Sequence, residues 1–201
     1  DDGAVDCEDV ADCYQEMACD AQICGTDERI SPGAITTAAD LEPLRGAESV
    51  SGSLFISAAE DIDLSALSSV RCIRGGIFFN DGENQTSLAG LENLQLVGRD
   101  VSLRGASSLA SLQGLEKLTV VGGTVTLSGA PRVTTLAPLS SLERAGGLAI
   151  REMNGLTRLT GLEKLARIRH VDPHNPSSIY IENNTQLISL EGLEGLVDLD
   201  S

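Results

Sequence analysis

Six times along this chain three apolar residues recur at intervals of three: Leu64/Leu67/Val70, Leu88/Leu91/Leu94, Leu112/Leu115/Leu118, Leu136/Leu139/Leu142, Leu159/Leu162/Leu165 and Leu190/Leu193/Leu196. Ten or eleven residues before each triplet a short alternating apolar segment begins: Leu54/Ile56, Ile77/Phe79, Val101/Leu103, Val125/Leu127, Leu148/Ile150 and Ile179/Ile181. A repeat of this length cannot bury its apolar side alone, so neighbouring repeats must stack to make a continuous core. The pattern therefore predicts a β-solenoid, a parallel β-helix or leucine-rich-repeat-like pile with one strand and one leucine-lined arc per coil. Strand starts lie 23, 24, 24 and 23 residues apart from Leu54 to Leu148, then 31 apart to Ile179, which places one insertion near Arg167 to Pro176.

Two regions are expected. Residues 30–201 form the solenoid, about seven coils, the first of them imperfect, with Ile30 or Ile35 as its strand and Leu41, Leu44 and Ala47 as its arc. Degenerate end repeats are usual in such arrays. Residues 1–29 read as a small, partly helical cap over the first coil: Asp6 is placed to cap a segment whose apolar residues fall at Val10, Ala11, Tyr14, Met17 and Ala18. Cys7, Cys13, Cys19 and Cys24 crowd into this stretch and read as a disulfide framework, with zinc as the competing reading and no Cys-x-x-Cys spacing to favour it. Cys72 is expected to be free or tied to the cap. The chain reads as exported, lacking a signal peptide because it begins after processing. Twelve arginines against two lysines match a high-GC bacterial coding bias.

Glycines precede the strands at Gly52, Gly75/Gly76, Gly98, Gly122/Gly123 and Gly146/Gly147. There they mark tight corners; a phosphate cradle would need a lysine and a following helix. The run Val-Gly-Gly-x-Val-x-Leu followed after eight residues by Leu-x-x-Leu-x-x-Leu, as in residues 121–142, resembles the receptor L domain family. These are leucine-rich ligand-binding modules outside insulin-type and epidermal-growth-factor-type receptors, with relatives on bacterial surface proteins. The resemblance covers roughly residues 30–201 and implies a right-handed β-helix that binds other proteins and carries no active site. The chain departs from ordinary leucine-rich repeats at its asparagines: Asn84, Asn154 and Asn184 fall seven, six and five residues after their strand starts, so no inward asparagine ladder is expected.

Alternation along the strands predicts an outward column of Phe55, Phe78, Ser102, Thr126, Ala149 and Tyr180, beside a second of Ser57, Asn80, Arg104, Ser128, Arg151 and Glu182. Three of the five aromatic residues stand in the first column, and exposed aromatics commonly anchor protein interfaces. Phe55, Phe78, Ser102, Arg104, Thr126, Arg151 and Tyr180 are accordingly the expected protein-binding residues. Weaker metal candidates are His170, Asp172 and His174 in the insertion, while Asp81, Glu83 and Asn84 supply about half the oxygens that calcium needs.

With 30 acidic against 14 basic residues the formal charge is −16, which repels nucleic acid and anionic lipid and leaves a divalent cation on the acidic surface as a possible companion. No apolar run approaches the ~18 residues of a membrane span. No catalytic constellation stands out, and a polysaccharide-cleaving reading fails for want of an aromatic row and paired carboxylates. No cofactor is expected. The expected function is a non-enzymatic extracellular recognition or adhesion module at a bacterial surface, bound to a protein partner through its outward sheet face. The alternative is an extracellular filament subunit stacking head to tail through the cap and the uncovered last coil.

Overall fold

The computed structural model describes residues 24–57, 59–80, 82–169 and 179–200. Among these residues thirteen strands, all paired in parallel, build two ladders that run side by side. The first ladder stacks β1 (Glu28–Ile30), β3 (Ser49–Ser51), β5 (Cys72–Ile73), β7 (Leu96–Val97), the leading halves of β9 (Val120–Ser128) and β10 (Arg144–Arg151), then β11 (Arg167–Arg169) and β13 (Asp198–Asp200). The second stacks β2 (Ala34–Ile35), β4 (Leu54–Ile56), β6 (Ile77–Phe79), β8 (Val101–Arg104), the trailing halves of β9 and β10, and β12 (Ile179–Glu182). Each repeat thus contributes two strands, one more than the sequence predicts. Both Ile30 and Ile35 lie in strands, one per ladder, and β1 begins inside the stretch assigned to the cap.

The three-residue leucine period has a direct cause. In the arcs the later members of a triplet donate their N–H to the carbonyl three residues earlier, as in Leu67 to Leu64 (2.8 Å) and Val70 to Leu67 (2.8 Å), or Leu115 to Leu112 (3.2 Å) and Leu118 to Leu115 (3.1 Å). Turns of this 3-10 kind have three residues per revolution, so every third side chain faces the same way. Two arc types occur. Ser65–Leu67 and Ala137–Leu139 are 3-10 segments, whereas four arcs read Leu-x-Gly-Leu-Glu. In those, the glutamate bends back to accept the glycine N–H, as Glu116 does from Gly114 at 2.9 Å. The same bond joins Glu92 to Gly90, Glu163 to Gly161 and Glu194 to Gly192.

The inward leucines and strand residues of all repeats merge into one core from Ile35 to Ile168. At its far end burial fails. Ile188 (80% exposed), Leu190 (58%) and Val197 (83%) stand in water, so Leu190 is exposed where its triplet predicts burial. A residue of a coil with no further coil stacked on it among the described residues lacks half its neighbours. Side-chain amides do bridge coils, though without a common register. Asn184 donates to Ile150 O (2.9 Å) and accepts from Met153 N–H (2.8 Å). Buried Gln85, which no repeat pattern marks, donates to Ile62 O (3.0 Å) and accepts from Ile62 N–H (3.2 Å).

Candidate functional site

In the second ladder, alternation places Phe55, Phe78, Ser102, Thr126, Ala149 and Tyr180 in one register column, each the direct neighbour of the next. Parallel in-register strands ~4.8 Å apart leave identical neighbours little choice but to stack. The rings of Phe55 and Phe78 do so, 4.9 Å apart at 10°. Phe55 is 43% exposed, and its other register neighbour, Ala34, is too short to cover it. Phe78 leans across the corner at Gly76: a Cβ there would sit 2.5 Å from the ring. Gly76 therefore seats the aromatic pair, a role that its place in a Gly-Gly corner does not reveal.

The remainder of the column departs from expectation. Ser102 (5%), Thr126 (7%) and Ala149 (6%) are buried, although alternation puts them outward. Short side chains held between stack neighbours have little surface left to offer. Tyr180 is half-buried, with the Arg151 guanidinium 5.1 Å from its ring centre, and Arg151 Nε lies 2.9 Å from Glu182 Oε1. The expected surface thus splits into an open part, Phe55, half-buried Phe78 and exposed Ser57, Asn80 and Arg104, and a braced part around Arg151. A low floor of small side chains, roughly 19 Å from Phe78 to Tyr180 at the strand spacing, connects them. Chemically the open part offers apolar ring area and one cation beside it.

The first ladder has an outer face too. Ser49, Cys72, Leu96, Val120, Arg144 and Arg167 follow one another in register there, while their neighbours Val50, Ile73, Val97, Val121, Ala145 and Ile168 lie in the core. Cys72 is disulfide-bonded to Cys24, both fully buried. Arg71 and Arg74 pair with Glu48 (3.4 Å), just before β3, and Glu28 (3.2 Å), in β1. Arg144 and Arg167 stand side by side and line a shallow depression with Glu143, Lys164 and Ala166.

Cys7, Cys13, Cys19, Asp81, His170, Asp172 and His174 lie outside the described residues. Asn84 donates to Ala59 O at 2.9 Å, a bond that ties it to the preceding coil. Among the described residues no group of three or more His, Cys, Asp or Glu converges as metal ligands would. Likewise no helix among them is long and apolar enough to cross a membrane. Four carboxyls near the start of the stack are held below the usual carboxylate range: Asp27 by its hydrogen bond to Arg29, Asp40 by the N–H groups of Thr36 and Thr37, Glu42 by Arg45, and Asp63 by Ser65 N–H. Set against models of protein families, curated proteins and solved structures, the chain matches none of them.

Proposed function

We propose that this protein is a non-enzymatic extracellular recognition module, a right-handed β-solenoid of the receptor-L-domain kind, that holds a protein partner on the outer face of its second ladder. The supporting observation is the stacked pair Phe55/Phe78 at the open end of that face. A chain with five aromatic residues puts two of them together on one outer surface, beside an exposed arginine. Rigid aromatic area next to a cation is the composition of an interface anchor. The Cys24–Cys72 disulfide supports an oxidising compartment, where such bonds persist. Adhesion at a bacterial surface is the setting that fits an acidic, disulfide-bearing stack.

The exposed Ile188, Leu190 and Val197 favour a second reading, contact through the last coil, including end-to-end assembly. One comparison separates the two. Binding of the purified chain to intact cells and to arrayed extracellular proteins is measured for the native chain, for Phe55→Ala/Phe78→Ala and for Ile188→Glu/Val197→Glu. The sheet-face reading expects the first variant to lose at least about tenfold in affinity, with a stability cost of only ~1–2 kcal/mol for the lost stack. Affinity untouched there but lost in the second variant would replace the sheet face with the end.

A further inference from the structure

Resting on that sheet-face reading, we propose that the protein partner brings to the second ladder a side-chain carboxylate, seated on Arg104, and an aromatic ring, stacked on Phe55. Along the early coils Arg29, Arg45 and Arg71 each have a carboxylate within 3.4 Å, and on the sheet face Arg151 has Glu182 at 2.9 Å. Arg104 differs. It is exposed at the end of β8 and forms no ion pair among the described residues. Its register neighbour on β9 is Ser128, and on the other side Asn80 stands one residue beyond the Phe79/Leu103 pair, so both flanking side chains are neutral. In a chain with 30 acids against 14 bases, a lone cation between neutral neighbours reverses the prevailing sign. Coulomb attraction at that point selects an anionic group from outside, while the acidic excess repels the same group elsewhere.

The place of the ring follows from the same register. The Phe55 and Phe78 rings lie face to face, 10° from parallel, so Phe78 covers one face of Phe55. The other face looks towards the coil of Ala34, whose methyl group is too short to cover it. A third ring extends the stack there, with the apolar contact and offset geometry that aromatic pairs prefer. Ring and carboxylate are then separated by three strand spacings along the stack and two residues across it, about 16 Å, or four to five residues of an extended segment. The length of the Arg104 side chain widens that window by a residue or so on either side.

Random peptides displayed on phage and selected on the immobilised native chain at 150 mM salt serve as the probe. Selected peptides should carry Asp or Glu roughly three to six positions from Phe, Tyr or Trp, severalfold above the unselected library. Arg104→Glu should weaken synthetic copies of these peptides at least about tenfold, and selection repeated on that variant should exchange the acid for Lys or Arg. Arg132→Glu makes an equal charge change at an exposed arginine past the end of β9 and should weaken them less than about twofold. Both side chains are exposed, so each variant should melt at the native temperature. Equal losses in the two variants would overturn the proposal in favour of net charge alone. Peptides that need Phe55 and Phe78, show no acid and bind Arg104→Glu as well as the native chain would overturn the carboxylate while leaving the sheet-face reading intact. A library that yields no peptide sensitive to Phe55→Ala/Phe78→Ala would overturn both.

Discussion

At Gly114 one atom decides whether two coils can stack. Its φ is +110°, and a Cβ there would lie 2.3 Å from the Leu88 carbonyl oxygen of the preceding coil. Neither the backbone angle nor the distance suits an L side chain, and each such strain costs of order 1–3 kcal/mol. Gly114→Ala should therefore lower stability by about 2 kcal/mol or more in urea unfolding, and an unchanged midpoint would show that the coils separate easily there. Its neighbour Leu115 is 2% exposed, as the triplet predicts. Leu115→Asp buries a carboxylate without a partner, at several kcal/mol, and should leave the middle coils unfolded by circular dichroism. The inward leucines were legible because a three-residue period admits one geometry. The glycine in Leu-x-Gly-Leu-Glu was equally visible in the sequence, yet its reason is a contact with another coil, which no local pattern reports. Gly76 belongs to the same class, since a Cβ there would lie 2.8 Å from the Asp100 carbonyl oxygen of the next coil as well as 2.5 Å from the Phe78 ring of its own: Gly76→Ala should shift the ring and also lower stability by about 1–3 kcal/mol in urea unfolding.

Elements of the two ladders were unequally legible for a physical reason. From β4 onward, strands of the second ladder place two inward residues either side of an outward one, as in Leu54/Phe55/Ile56 and Ile77/Phe78/Phe79, enough to show a period of two. Those of the first, such as Ser49–Ser51, Cys72–Ile73 and Leu96–Val97, run two or three residues with at most one inward member each, and so show no period at all. Their inward members Val50, Ile73, Val97, Val121 and Ala145 recur in the repeat, but only cross-coil pairing identifies them as strands. The Cys24–Cys72 bond spans 48 residues and both early coils. Closing a loop of that length removes chain entropy from the unfolded state equivalent to about 4 kcal/mol. Cys24→Ser/Cys72→Ser should thus lower the melting temperature by roughly 5–15 °C, with hydrogen exchange accelerating first in β1 to β4. The same coils should yield first to acid. Asp27, Asp40, Glu42 and Asp63 have depressed folded-state pKa values, so the stability they contribute is present above the unfolded values near 4 and is lost as pH falls through the folded ones. Pepsin at about pH 2.5 should cut within residues 27–63 before it cuts within 99–165; the reverse order would place the acid-labile contacts elsewhere.

On the scale of the whole molecule, charge is sorted along the sequence in a way the net value hides. Residues 1–98 carry nineteen acids against four bases, residues 99–169 five against ten, and residues 170–201 six against none. The formal charges are thus −15, +5 and −6, acidic at both ends and basic between. Head-to-tail stacking would bring the acidic last coil onto the acidic first region, against Coulomb repulsion that reaches ~30 Å at 10 mM salt and ~8 Å at 150 mM. The apolar attraction of Ile188, Leu190 and Val197 works in the other direction and is insensitive to screening. Which term wins is therefore readable from salt dependence alone. The charge pattern expects monomers by light scattering and electron microscopy at 10 mM salt and pH 7, with any end-to-end association appearing only as salt rises towards 0.5 M. Ile188→Glu/Val197→Glu should then abolish the high-salt species, because it removes the apolar term and leaves the repulsion. Filaments already present at 10 mM would mean that apolar burial, or cations bound between the two acidic ends, outweighs the repulsion. A chelator separates those two causes, dissolving the filament only if divalent cations bridge it. The basic middle coils meanwhile remain the one region where acidic surface is attracted, so a partner approaching from the side is steered while one approaching along the axis is turned away.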